Sequence, residues 1–441
     1  MQSPPPPAKR RREVKDNEDA PSAASDADAD RISALPDDVL HRILSPLPAH
    51  EVVRTCVLAR RWRDVWRSAP AVRVTAAGGW WDTATEINAF LDGLLRLRRR
   101  GGDGDDSRLE SFVLDLDAAD LGFAGYLPGT VNEQHISRAL RRAVRHNIRV
   151  LRLRLRSFQE RMLLVLPDRP FVSRHLTTLE LTHVSVTSGI LDFSECPSLV
   201  DLTMNRCYII ARISSLSLNR LIFRDCALCD IRIYMSLPGI RLLEITLHSG
   251  RAPLFFESMP LLESATVVLR YGCDDRWGCY GYIRSDGMKI FSLLERLSEA
   301  TNLCLFAHPG MFIFNRDLYW CPTFNKLKTL ELNDWCVDSD LYALFYFLQH
   351  SPVLEMLTLH LSKVRKDSFQ TTGSYKPLGQ LASDRLKKIE INHYEFFDER
   401  VRKIFKILST YVTPLQVYMS ARCELIIPLL MLLFCILSKY I

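Results

Sequence analysis

Three sets of side chains have types and spacings that could do chemistry. Cys226 and Cys229 are separated by two residues, as in a metal-binding pair, with Cys273 and Cys279 downstream. No compact four-ligand pattern follows, and a structural zinc site needs four. His308 and His350 have no nucleophile arranged with them in the sequence. The third set is basic: Arg138, Arg141, Arg142, Arg145 and Arg149 lead into Leu151-Arg152-Leu153-Arg154-Leu155-Arg156. Period-2 alternation turns those leucines inward and sets Arg152, Arg154 and Arg156 on the open face of a strand. There they form either a solvated basic face or bidentate contacts to carboxylates or phosphates of a bound target. Phosphate-cradling, dinucleotide, nucleophile-elbow and zincin motifs are absent from the sequence. The reading is therefore no catalytic residue, no metal and no cofactor.

The elements that would carry these residues fall into two kinds. Residues 31–74 read as three short amphipathic helices. Pro36 suits a first helical position, with Asp37 and Asp38 at the positive N-terminal end. Val39, Leu40, Ile43 and Leu44 give one apolar face. Pro48 opens a second helix carrying Val52, Val53, Cys56 and Val57, and Trp62, Val65 and Trp66 form a third stripe among arginines. Pro46 should push Ser45 out of helical geometry where the first helix ends. So short a segment is near the lower limit for its own core, which predicts completion against another protein. A further helix is read over Thr85 to Arg98, before a Gly/Asp-rich loop.

Beyond it one pattern, L-x-x-L-x-L, keeps returning. Its clearest copies start at Leu176, Leu199, Leu218, Ile240 and Leu262, stepping by 23, 19, 22 and 22 residues, with Cys207 and Cys226 three positions after two of them end. Other copies start at Leu109, Ile148, Leu327, Leu354 and Leu386, and the step of 65 from Leu262 to Leu327 implies insertions or degenerate copies. No copy can bury its own apolar face, so the copies must stack. Two helices are read near the C-terminus, one on Leu341, Leu344, Phe345 and Leu348, the other on Val401, Ile404, Phe405 and Leu408.

The chain has 441 residues and a net charge of +6, too mild to argue for nucleic acid. Neither a basic stripe with interleaved aromatics nor a reading helix is evident. Twelve cysteines without a secretory signal read as reduced thiols and predict a cytoplasmic or nuclear protein. Residues 1–30 lack large apolar side chains and read as a disordered tail. Its Lys9-Arg10-Arg11-Arg12 is either a nuclear-import signal or a solvated cluster. Leu425 to Leu437 is apolar with a proline inside, shorter than the ~20 residues a spanning helix needs. It reads as a buried terminal segment or an aberrant C-terminus, not a membrane span.

The N-terminal pattern closely resembles the F-box, the module that docks substrate receptors onto the Skp adaptor of cullin-based (SCF) ubiquitin ligases. The match runs from Leu35-Pro36 through Ile43-Leu44 and Leu47-Pro48 to Val53–Leu58 and Arg60-Arg61-Trp62. The resemblance implies that Leu35, Pro36, Ile43, Leu44, Leu47, Val53, Leu58 and Trp62 face or support the adaptor. The repeat resembles the leucine-rich repeat (LRR), whose usual period is 20–29 residues. From about Cys321 the chain resembles the FBD region of plant F-box/LRR proteins. Trp320–Phe324, Leu327–Leu330, Phe347–Pro352 and Asp398–Val401 carry that resemblance.

The implied fold is α/β: a three-helix F-box at 31–74 and an irregular LRR solenoid over 75–320. An FBD-like LRR region at 321–415 and an atypical hydrophobic tail at 416–441 follow. The implied function is a non-catalytic SCF receptor subunit, joined through a Skp-type adaptor to a cullin and capturing an unidentified target protein. The alternative is a non-ligase interaction scaffold in which the F-box-like segment is a structural cap.

Overall fold

A computed structural model describes residues 32, 34–75, 84–99, 109–117, 140, 143–144, 146–156, 164–166, 171–228, 233–250, 254–270, 293–308, 314, 318, 322–337, 341–362, 385–393, 399–411 and 416–421. Outside them lie the N-terminal tail, Arg138, Arg141, Arg142 and Arg145, Cys229, Cys273 and Cys279, and the apolar run Leu425 to Leu437.

The N-terminal segment forms α1 (Asp37–Leu44), α2 (Ala49–Arg54) with a 3-10 turn at Thr55–Val57, and α3 (Trp62–Ser68). Pro36 sits one position earlier than expected, and Pro48 takes the same place in its helix. Pro36 and Pro48 are N-caps with ψ of 152° and 142°, and their carbonyls accept the Leu40 and Val52 N–H. A proline's fixed φ suits the extended cap as well as the first helical residue. Pro46 ends α1, yet Ser45 keeps helical angles (φ −57°, ψ −37°) instead of leaving them. Its N–H and hydroxyl both donate to the His41 carbonyl, at 2.9 and 2.6 Å. Those two bonds outweigh the pre-proline bias.

Ala69 and Pro70 then lead directly into β1 (Ala71–Thr75), which precedes α4 (Ala84–Arg99). The following strands are β2 (Ser111–Asp117), β3 (Val150–Arg156), β4 (Leu164–Val165), β5 (Thr178–Thr182), β6 (Val184–Asp192), β7 (Asp201–Asn205), β8 (Tyr208–Ser214) and β9 (Arg220–Leu228). After these come β10 (Ile233–Ser236), β11 (Leu242–Gly250), β12 (Leu254–Phe256), β13 (Ser264–Leu269) and a short α5 (Leu293–Arg296). The chain continues through β14 (Asn302–Ala307), β15 (Thr329–Asn333), α6 (Tyr342–His350), β16 (Met356–His360), β17 (Lys388–His393), α7 (Glu399–Tyr411) and β18 (Gln416–Ala421).

These strands make one large parallel sheet with two ladders. The first runs β1–β2–β3–β5–β7–β9–β11–β13–β14–β15–β16–β17–β18. A backbone column along its leading edge explains the regularity. The Pro70 carbonyl accepts both Glu110 and Ser111 N–H, and Glu110 accepts both Arg149 and Val150. The same fork recurs through Thr177, Asn219, Glu263 and Lys328 to Glu355, which accepts Lys387 and Lys388. Each turn of chain is thus hung from the one before, and the apolar positions fall into register. Phe112, Leu151, Leu179, Leu202, Leu221 and Leu243 form one inward row, all buried.

The second ladder, β4–β6–β8–β10–β12, lies after a corner. His183, Arg206 and Asp225 turn it with φ of 56°, 49° and 51°. Left-handed non-glycine residues are uncommon. Here His183 and Arg206 are held by N–H bonds to the Asn205 and Arg224 carbonyls of the next turn. Buried Val184, Cys207 and Cys226 follow the corner residues. The thiols plug these turns: Cys207 donates to the Leu181 carbonyl at 3.5 Å and Cys226 to the Met204 carbonyl at 3.2 Å.

The 65-residue step contains a copy that the sequence pattern hid. Ala300, Leu303 and Leu305 are buried, and β14 pairs β13 with β15. Ala69, Val72 and Val74 likewise make β1 the first copy. Small Ala300 and Ala69 stand where a leucine was sought. α6 buries the expected face, but α7 buries Val401, Ile404 and Leu408 and leaves Phe405 exposed. Phe405 follows Ile404 by about 100° around the helix, just past the edge of the buried stripe.

Candidate docking face and strand-face charges

The three helices do not finish their core on a partner; they finish it on their own chain. Leu40, Leu44, Val52, Trp62, Val65 and Trp66 share one buried cluster with Val72, Val74, Ile87, Leu91, Leu94 and Leu95. The join is polar as well as apolar. Buried Arg98, on α4, donates to the Trp66 carbonyl at 3.0 Å and the Ala69 carbonyl at 2.5 Å. It thereby completes the bonding of the carbonyls where α3 ends, the Ala69 N–H reaching Trp66 only at 3.4 Å. Burial lowers its pKa to about 10, so the clamp stays charged at neutral pH. His41 ties α1 to α3 through Ser68 at 3.0 Å, and Arg61 bonds Asp37 at 2.5 Å.

That packing divides the sequence-predicted adaptor residues. Leu44 and Trp62, 1% and 4% exposed, lie inside the chain's own core. Leu35, Leu47 and Val53 are half-buried against it, and Pro36 is exposed. Ile43 and Leu58 point outward at 45% and 66% exposure. Two further exposed side chains were read as helix-face residues without an outward role: Val39, one turn before Ile43, and Val57, 87% exposed beside Leu58. Val39 and Ile43 are four apart on α1, so they lie on one face. The signal available in the sequence was the four-residue recurrence Leu35, Val39, Ile43, Leu47, offset from the Leu40/Leu44 stripe.

Of the strand-face arginines, Arg152 and Arg154 converge on Glu180. Arg152 Nε is 2.9 Å from one carboxylate oxygen, and an Arg154 terminal nitrogen is 2.7 Å from the other. Register explains the meeting, since Arg152 sits opposite Glu180. Arg156 aligns with Asp117, and its side chain lies outside the described residues. Farther along the sheet Arg224 pairs with Glu244 at 3.0 Å, and Arg241 pairs with Glu263.

His350 bonds the Tyr346 carbonyl at 2.9 Å through Nδ1 and stacks on that ring, so it is occupied within α6. Cys207 and burial push the Cys226 thiol far up, away from the thiolate a metal needs. Among the described residues, no group of three or more His, Cys, Asp or Glu side chains could hold a metal. No helix among them is long and apolar enough to cross a membrane.

The F-box domain model matches residues 32–71, the three helices and the start of β1. The chain carries an F-box domain. Along most of its length it is similar to plant F-box/FBD/LRR-repeat proteins. The meiotic F-box protein MOF of Oryza sativa subsp. japonica is 29% identical over 404 residues, covering 82% of this chain and 80% of the relative. Two F-box/FBD/LRR-repeat proteins of Arabidopsis thaliana are 27% and 23% identical over 390 and 420 residues. They cover 82% and 85% of this chain, and 85% and 87% of the relatives.

Residues that carry the FBD resemblance have identifiable work. Buried Phe324 packs on Phe347 with ring centroids 5.4 Å apart, and its N–H bonds the His350 carbonyl. Arg400 on α7 reaches Asp334 at 2.8 Å and the Ser362 carbonyl at 2.6 Å. Asp334 also accepts the Ser362 N–H at 3.0 Å. The F-box of this plant-type chain is thus fused to the start of a sheet whose far end is cross-tied by its FBD-like residues.

Proposed function

We propose that this chain is a substrate-recognition subunit of an SCF-type ubiquitin ligase. Its helical module docks a Skp-type adaptor and, through it, a cullin. The paired ladders act as a leucine-rich-repeat solenoid over residues 75–415, whose strand face captures a target protein. The receptor makes and breaks no bond; it contributes proximity and orientation. The compartment that fits this role is the cytoplasm, the nucleus or both.

The observation that carries the reading is the outward placement of Ile43, Val57 and Leu58 on a module whose own core is already complete. Burying each such side chain contributes about 1–2 kcal/mol, and association costs of several kcal/mol reduce the sum.

The scaffold reading also has an observation in its favour, because the module covers the first strand of the ladder and so serves as a cap. Capping uses Leu40, Leu44, Trp62 and Trp66; docking would use the opposite set. The test is reconstitution of the full chain with a Skp adaptor and a cullin. A stoichiometric complex that elutes as one species supports the ligase role. A folded chain that binds none of a panel of adaptors leaves the cap as the module's whole function.

A further inference from the structure

On the sheet Arg152, Arg154, Arg220, Arg224, Arg241 and Arg270 are each matched by a carboxylate, whereas two arginines just ahead of their strands are not. Arg149 and Arg174 are exposed, and among the described residues neither guanidinium has an ion-pair partner. Both border one groove of about 310 Å³ at the leading edge of β2, β3, β5 and β7. Leu109 closes its floor, and Asn147, His175, Thr177 and Ser198 complete the polar wall with Glu110.

The hydrogen-bond inventory says what the groove has left to offer. Backbone N–H groups at 149 and 177 are spent on the column that joins successive turns. The Thr177 hydroxyl donates to the Arg149 carbonyl at 3.0 Å, and the Ser198 hydroxyl donates to the Arg174 carbonyl at 2.8 Å. What remains is two guanidiniums, which are cationic donors, with the Asn147 amide and the His175 ring beside them, in a space too small for a large cofactor. One carboxylate offers two acceptor oxygens, whereas a phosphate monoester offers three and carries nearly two charges at neutral pH. The single opposing charge, Glu110, makes the groove selective for an anion strong enough to hold both arginines at once.

We propose that this groove binds a phosphate group, carried on a phosphorylated side chain of the captured target. The inference rests on the target-capture reading above and names the chemistry of one subsite within it. Arg149 is also the last of the arginines that lead into the strand of Arg152 and Arg154. A peptide leaving the groove along β3 would therefore meet further guanidiniums.

The test uses the full chain with its Skp adaptor and fluorescent peptide libraries of random sequence around a central phosphoserine or serine. Anisotropy is expected to show the phosphoserine library binding about tenfold tighter, as charge-assisted contacts to two arginines allow. Arg149→Ala and Arg174→Ala should each remove most of that preference, and Glu110→Gln should increase it. Arg96→Ala, at an exposed arginine on α4, should leave it unchanged. Inorganic phosphate and pyrophosphate as competitors distinguish the sources: competition by pyrophosphate alone at micromolar concentration would assign the groove to a free phosphate compound and overturn the target-borne reading. Equal binding of both libraries, or discrimination that survives Arg149→Ala/Arg174→Ala, would overturn the site itself. Adaptor co-elution is read on the same samples, so loss of the ligase reading is seen separately from loss of the phosphate site.

Discussion

The helical module and the ladder solve the same burial problem in opposite ways. In the ladder each turn lends its apolar row to the next, so Met204, Phe223 and Ile245 stand in register and fully buried, while Thr203 and Glu244 beside them are polar. Among the described residues, the module has no repeat on its outer side. It buries one stripe against β1 and α4 and leaves Val39, Ile43, Val57 and Leu58 in solvent. A stacked array hides its hydrophobic surface by translation, whereas its terminal unit must cap itself or hold a surface for something else. Large exposed apolar side chains on such a unit are what the proposed docking face would use.

The comparison breaks most sharply where a single contact holds distant turns together. Asp334→Ala would take the carboxylate from half-buried Arg400 and leave it the Ser362 carbonyl, at a cost of about 3 kcal/mol. Its expected signature is loss of hydrogen-exchange protection from Trp335 through α7, with the helical module unaffected. Phe223→Ala should cost a similar ~3–5 kcal/mol and lower the melting temperature of the whole ladder, as circular dichroism would show. Arg98→Met tests the join between the two regions. It leaves the Ala69 carbonyl without its Arg98 donor and the Trp66 carbonyl with only the long Ala69 N–H bond, at a cost of about 1–3 kcal/mol. Limited proteolysis should then cut near Ala69 and Pro70, while Arg98→Lys recovers part of the protection.

Smaller effects sharpen the contrast. Val57→Ala and Leu58→Ala should change stability by less than about 0.5 kcal/mol, because neither side chain is packed. The smallest effect is a pH dependence at His50. Burial holds its pKa below the ordinary value, against Glu51 and with Arg54, so the neutral form is the one that suits the fold. Stability from this group is full above about pH 6.5 and declines as pH falls below it. Melting curves from pH 7.5 to 5.5 should show a decline that His50→Asn flattens.

Much of this architecture is legible in the residues, and its limits are physical. Leu-x-Leu marks a strand because the period is two and one face is buried. That is why the copies from Leu176 to Leu262 can be placed to the residue. Ala300 and Ala69 escape the pattern because a small side chain fills their slot, leaving only backbone register to reveal the copy. The F-box is legible as a motif, but which of its apolar residues face outward is not. Leu44 and Ile43 are neighbours with the same hydrophobicity, and only the docking of α4 and β1 decides that one is buried and the other is free. The left-handed corners at His183 and Arg206 carry no glycine or asparagine to announce them; hydrogen bonds to the next turn of chain hold them. Glu180, which occupies Arg152 and Arg154, lies 26 residues from the nearer of the two and is found by register alone.

The most direct test of the docking face is the affinity of a purified Skp adaptor for the full chain and for Val57→Asp/Leu58→Asp, measured by titration calorimetry with melting temperatures recorded in parallel. The account predicts a one-to-one complex with the unaltered chain, at least a hundredfold loss with the variant, and unchanged melting. Equal affinity for both, or no binding by a chain that melts cooperatively, would contradict it.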